Sequence, residues 1–377
     1  MSEVLQKSIT LIFLITLGML LKAKFKSREQ TNGIKEMVLS VALPSTIFIA
    51  LMKIHVDTKL LIAPLGALVF NFFMFAITPA ALSLFGVKKD SSAGRTLTML
   101  LPSLAPGLSC FPFIAEFLGE DSLAMAAMAD VGNKFFVLIF LYILAMNMFL
   151  KNSQTEVANM GSKLKSLLFN LVKEPINMII ILAILLLSLG VNYKTLPSVV
   201  ADLFDKTSAM MTPLVLIFIG LAVQLKEGRK RLVLSMLTFR AGVTMLFSAA
   251  FIYLLGISDT YLMLLAIVIP LSSASFWPFA HISAFNLREE QISLPKEKRT
   301  FNLELAVLVL AFSLPYSTML ILGILSAGTF FADLPTLIII GASMIGISFI
   351  PHLLGRISFA PLKGLVAAHK SGDSEGD

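Results

Sequence analysis

The segment Leu101–Gly119, LPSLAPGLSCFPFIAEFLG, restricts this chain more than any other. It is strongly apolar, yet it contains Pro102, Pro106, Pro112 and Gly107. Proline removes a backbone donor and clashes with the preceding turn, so these three cannot share one regular helix. In water the stretch would read as a loop. At membrane depth, irregular backbone survives only where protein buries it or where it lines a wet cavity. Half a chain later the pattern returns as Ile269–Ala280, IPLSSASFWPFA. Two interrupted apolar segments at matching positions point to a site near the bilayer midplane.

Composition places the chain in a membrane. Its 377 residues are 57% hydrophobic and 14% charged, with mean hydropathy +0.88. Soluble domains carry roughly a quarter charged residues, so this is read as an all-α polytopic membrane protein. A net charge of +7 would suit nucleic acid, but the basic residues cluster in short loops between apolar runs, which is a topology signal. The bilayer, and no nucleic acid, is the expected surrounding. Cys110 is the sole cysteine, which excludes an internal disulfide and a cysteine-based metal cage. The strings CxxC, HExxH, Walker A and GxSxG are absent, so no enzyme chemistry, cofactor or metal is expected.

A spanning helix needs about 20 mainly apolar residues. About eleven segments are candidates, the first and seventh short by this criterion: Ser8–Leu21, Ile34–Met52, Leu60–Phe85, Thr96–Leu118, Ser122–Leu150, Leu167–Leu189, Ala209–Val223, Leu232–Leu255, Tyr261–Phe285, Leu303–Leu325 and Leu334–Leu354. The first resembles a signal peptide but has no small-x-small cleavage site, and basic residues follow its apolar run rather than lead it, so it reads as a retained helix. Lys22, Lys24, Lys26 and Arg28 follow the first segment; Lys88, Lys89 and Arg95 the third; Lys151, Lys163 and Lys165 the fifth. Lys226, Arg229, Lys230 and Arg231 follow the seventh, Arg288, Lys296, Lys298 and Arg299 the ninth, and Arg356 and Lys363 the eleventh. The alternate loops hold few. This places the N-terminus outside and the C-terminus inside, in a bacterial-type inner membrane. His369–Asp377 reads as a short polar tail without fixed structure.

The chain also repeats itself. IFIAL at Ile47–Leu51 returns as IFIGL at Ile217–Leu221, each after a proline, Pro44 and Pro213. SCFPF at Ser109–Phe113 returns as SFWPF at Ser275–Phe279, and Gly18 matches Gly190. The offsets all fall between about 166 and 172 residues, a fixed period of the kind that marks an internal repeat. Five helices separate the copies, an odd number, so the halves are inverted. The expected organisation is a first five-helix repeat over 1–150, its inverted copy over 166–326, an extra transmembrane helix at 333–355 and a cytoplasmic tail at 356–377.

Three segments carry a family resemblance: LGMLLKAKFKSREQTNGIKEMVLSVALPSTIFIAL, GLSCFPFIAEFLGEDSLAMAA, and KEPINMIIILAILLLSLGVNYKTLPSVVADLFDKTSAMMTPLVLIFIGLAV. Together they resemble the auxin efflux carrier family of permeases, in the wider bile-acid/sodium symporter-like superfamily. The resemblance covers roughly Met1–Leu325. It implies ten helices in two inverted repeats, with helices four and nine broken and crossing in an X. It also implies a scaffold and a mobile unit that give elevator-like alternating access, and small organic anions as substrates. The family's Asn-x-Gly-x-x-Gly-x-Pro crossover, set on Pro112, has Ala105 at the asparagine, Gly107 at the first glycine and Cys110 at the second. Helix eleven lies outside the family pattern. A homodimer through helices one, two, six and seven is a further partner this reading leaves open.

The candidate site follows. Half-helix N-termini favour an anion, so Gly107, Ser109, Cys110, Pro112, Ser275, Trp277 and Pro278 are candidates for substrate binding. The bland alternative is that Ser109 and Ser275 satisfy backbone groups freed by proline and that Trp277, aligned with Phe111, packs the crossing. Cys110 is expected in a solvent-reachable cavity. Ionisable residues inside spans are costly and default to functional hypotheses. Asp130 and Lys134, four apart, share a helix face; they couple transport or merely neutralise each other. Arg240 snorkels to the cytosol or pairs with an acid such as Glu304, itself near a helix end. Glu116 belongs to an outer vestibule or to proton coupling. His281 titrates near neutral pH or serves as a structural hydrogen bonder. The expected function is secondary transport of a small organic anion, with coupling to protons, to the anion's own gradient or to sodium left open. The alternatives are a sodium-coupled symporter of the bile-acid type and a non-transporting membrane sensor with a carrier fold.

Overall fold

The computed structural model describes residues 3–25, 27–53, 59–153, 169, 173, 175–222 and 230–357. Among these residues there are helices and no strands. The helices are α1 (Glu3–Leu21), α2 (Glu29–Lys53), α3 (Lys59–Leu84), α4a (Ser92–Leu100), α4b (Pro106–Ser109 continuing as Phe111–Phe117) and α5 (Gly119–Asn152). They continue as α6 (Pro175–Ser188), α7 (Ser198–Ala222), α8 (Lys230–Leu255), α9a (Thr260–Val268), α9b (Phe276–Gln291), α10 (Leu303–Ala327) and α11 (Leu334–Ile357). Six of them are long and apolar enough to cross a bilayer unbroken, and three more are shorter apolar helices. The broken pairs α4a–α4b and α9a–α9b complete the set. Large apolar side chains such as Phe13, Leu20, Tyr253, Leu254 and Ile339 are exposed on the outside. In water that surface would be a liability; in lipid it is what an integral membrane protein presents.

Local sequence explains most helix ends. The Ser27 hydroxyl accepts from Gln30 N, and Gln30 Oε1 accepts from Ser27 N, a reciprocal cap that starts α2. Ser91, Asp259 and Asn302 accept from backbone amides three residues ahead to start α4a, α9a and α10. Two wide turns, Val38–Ala42 in α2 and Phe136–Phe140 in α5, bend those helices. Helix α7 begins at Ser198, eleven residues before the apolar run that marks it in the sequence. Its first turns mix Val199, Val200, Leu203 and Phe204 with the charged Asp202, Asp205 and Lys206, so hydropathy alone misses them. The tail beyond 357, the sixth segment's first residues and the loop lysines Lys26, Lys163, Lys165 and Lys226, with Arg229, lie outside the described residues.

Glycines set two close helix crossings. A Cβ at Gly18 would sit 2.2 Å from Ile217 O, and one at Gly220 would sit 2.1 Å from Ile15 O, so α1 and α7 touch backbone to backbone. Gly190, the repeat partner of Gly18, instead ends α6 in a left-handed turn at φ 80°. A Cβ at Gly242 would lie 2.6 Å from Gly341 O, which seats α11 against α8. Two apolar cores result. One joins α1, α2, α6 and α7 with Cys110–Ile114 of α4b, the first half of α5, α9a and the second halves of α8 and α10. The other joins α3, α4a, the second half of α5, α8, α9b and α10. The breaks contribute to both cores: Ile269 and Leu271 to the first, Leu101, Leu104 and Ala274 to the second.

Candidate functional site

Each break frees backbone groups that the fold must satisfy. In the first break, Ala105 N donates to Ser273 O of the second at 2.8 Å. Ser273 N donates back to Ser109 Oγ, and Ser275 N donates to Ser103 Oγ, both at 2.9 Å. Ala274 N reaches Ser313 Oγ of α10 at 3.3 Å. The breaks, 170 residues apart in sequence, therefore hydrogen-bond directly to each other. Two amide side chains hold the first break from the side. Asn133 Nδ2 donates to Leu104 O at 2.9 Å, while its Oδ1 accepts from Leu104 N at 3.1 Å. Asn71 Nδ2 donates to Pro102 O at 2.7 Å. Arg240, 3% exposed, donates to Leu101 O at 2.8 Å, Ser272 O at 2.9 Å, Ser103 O at 3.2 Å and Pro270 O at 3.5 Å.

A cavity of about 460 Å³ opens beside this junction. Leu104–Leu108 and Ser275–Trp277 form its floor, Asp130, Asn133 and Lys134 one wall, and Lys35, Glu36 and Lys173 its mouth. Ser275 Oγ accepts from Trp277 N and caps α9b, whose N-terminal residues Phe276 and Trp277 line the cavity. Lys35 Nζ lies 4.0 Å over the Phe276 ring. Asp130 and Lys134 are each 5% exposed and 3.4 Å apart, and Asn133 Nδ2 also donates to Asp130 Oδ1 at 2.9 Å. A second cavity, about 670 Å³, lies at the other end of α4b, against Lys7, Glu116, Glu120, Ser208 and Thr212. Between the two, Ser109–Ile114 are buried without interruption.

The structure sorts the residues singled out in the sequence. Gly107, Ser275 and Trp277 line the first cavity with Asp130 and Lys134. A Cβ at Gly107 would come within 2.8 Å of Leu43 Cδ2, so the glycine lets α4b approach α2. Ser109 is spent inside the junction, since its hydroxyl donates to Ala105 O while accepting from Ser273 N. Cys110 corrects an expectation. It is fully buried, its thiol 3.5 Å from Val268 O, and it reaches no cavity, because the next turn of α4b packs into the first apolar core. Pro112 and Pro278 are buried behind the cavity rather than lining it. Trp277 lines the cavity while its sequence counterpart Phe111 is buried, so the two breaks are unlike there.

Arg240 is the second correction: it neither snorkels nor pairs with Glu304. Four backbone carbonyls take its guanidinium, and Glu304 is exposed in the first turn of α10. His281 Nε2 sits 3.0 Å from Val137 O, and its ring packs edge-on against Tyr142, away from both cavities. Glu116 lines the second cavity, and its backbone carbonyl accepts from Lys7 Nζ. Asn133, Asn71, Ser103, Lys35 and Lys173 escaped the sequence reading. The signal for the two asparagines was present, since each is an amide inside an apolar span.

No family model matches the chain. Among curated proteins, it is similar to an uncharacterized transporter of Methanocaldococcus jannaschii, with 24% identity over 202 residues. The match covers 52% of this chain and 61% of that protein, so the chain spans less than two thirds of the relative's length.

Proposed function

We propose that the chain is a secondary transporter for a small organic anion, bound in the cavity beside the two breaks. The observation that carries this reading is the wall and floor of that cavity. The capped N-terminus of α9b at Ser275 and the Lys134 side chain line the same cavity of about 460 Å³ beside the breaks. Helix N-termini with an adjacent cation suit a carboxylate. Lys35 and Lys173 at the mouth would draw an anion in. The similarity to a protein described as a transporter agrees with this reading.

The two halves act as inverted repeats in this account. Asn71 and Arg240 fall at the repeat offset from each other, and each sends its donors to a break. Alternating access then needs the buried layer Ser109–Ile114 to change sides between the cavities, by movement of one unit past the other. In this reading the distribution of basic loops puts the first cavity on the cytoplasmic side. The experiment is a thermal-shift screen of the purified protein against small mono- and dicarboxylates. A binder of the folded state raises its melting temperature. We expect a carboxylate that stabilises wild type and does so much less for Lys134→Met. A panel with no stabilising anion would contradict the proposal.

A further inference from the structure

We propose that the Arg240 guanidinium is a resident cation that occupies the carbonyl cage where a coupling sodium ion would otherwise sit, so that this chain works without an alkali cation. The inference rests on the transport reading above and concerns how that site is charged. Discontinuous transmembrane helices leave carbonyls free at the ends of their first halves, and such carbonyls are the usual ligands of a transported or coupling cation. Here α4a ends at Leu100 and α9a at Val268. The four carbonyls that take Arg240 belong to Leu101, Ser103, Pro270 and Ser272, directly after those two ends. Both helix C-termini carry partial negative charge, and one guanidinium answers both.

The surroundings fit a resident charge. None of the ion pairs among the described residues includes Arg240, so its partners are the carbonyls themselves. Guanidinium, with five donors in a fixed fork, can serve several acceptors that a point charge would hold by coordination. Ser272 Oγ is buried without a hydrogen-bond partner among the described residues, and so is Thr244 Oγ1, one turn from Arg240 on the same face of α8. The sequence places Arg240 near the position that Asn71 holds in the first half, where a neutral amide serves one carbonyl. The second half therefore carries the cation for both breaks.

The test uses the full-length purified protein, with radioactive sodium binding and melting curves in sodium chloride and in choline chloride at equal ionic strength. Wild type is expected to bind no sodium above background and to melt alike in both salts; saturable sodium binding by wild type would overturn the proposal. Arg240→Lys, which keeps a cation in the cage, should melt closer to wild type than Arg240→Met. Equal losses, failure of both to fold included, would reduce Arg240 to packing and overturn it. A folded Arg240→Met should gain melting temperature in sodium over choline, and indifference to sodium there would also overturn it. None of these readouts requires transport. A failure to move anions would remove the transport reading and leave the cation result standing on its own.

Discussion

Lys134 and Asp130 face each other across 3.4 Å in a wall of α5 that also bounds the cavity proposed for the anion. A charge left alone at this depth costs at least about 2.5–3.5 kcal/mol, so each residue needs the other when no anion is present. Lys134→Met is expected to lower anion uptake by at least about tenfold, the equivalent of ~1.4 kcal/mol. If the pair is only structural, Asp130→Asn with Lys134→Met will melt and transport like wild type, which proteoliposome uptake and a melting curve decide together. Asn133→Leu strands Leu104 N and O and takes a donor from Asp130 Oδ1, all of them buried. Stranded groups cost about 1–3 kcal/mol apiece, so its melting temperature should fall well below that of a surface control. At this scale the sequence was legible where charge made it so: two ionisable residues four apart in an apolar span announce themselves. Asn133 and Asn71 did not, because a neutral amide is read as tolerable. Arg240 was misread because its partners are carbonyls more than 130 residues away along the chain on one side and about 30 on the other.

The elements that matter most are the interrupted helices, and their breaks were visible in Pro102, Pro106, Pro270 and Pro278. The direct bonding of one break to the other was not, since no local pattern encodes which serine reaches which amide. The run of α4b from Ser109 to Ile114 separates the cavities as a dry layer, and Cys110 reports on it. A small membrane-permeant maleimide should label Cys110 far more slowly in the native protein than after denaturation. Equal rates would place water inside the layer and remove the seal. The glycine crossings make a second element-scale prediction. At Gly220 a side chain has no room against Ile15 O, so Gly220→Leu must push α1 away from α7. Overpacking of this kind costs about 1–3 kcal/mol, and the loss should show in the melting temperature, whereas Gly323→Leu, which meets nothing within 4 Å, should not.

Seen whole, the molecule has two cavities at opposite ends of α4b and one buried layer between them. The repeat in the sequence already suggested two halves around a midplane site. It did not tell which side is open, because that depends on side-chain packing of Cys110–Ile114 against α2 and α7 rather than on any local pattern. The account stands on movement of an anion through that layer. The direct measurement is uptake of the carboxylate that stabilises the protein, into proteoliposomes holding wild type or Lys134→Met, beside protein-free vesicles. Wild type should take up the anion well above both comparisons when an inward anion gradient is imposed. Uptake by wild type equal to that of protein-free vesicles would contradict the account.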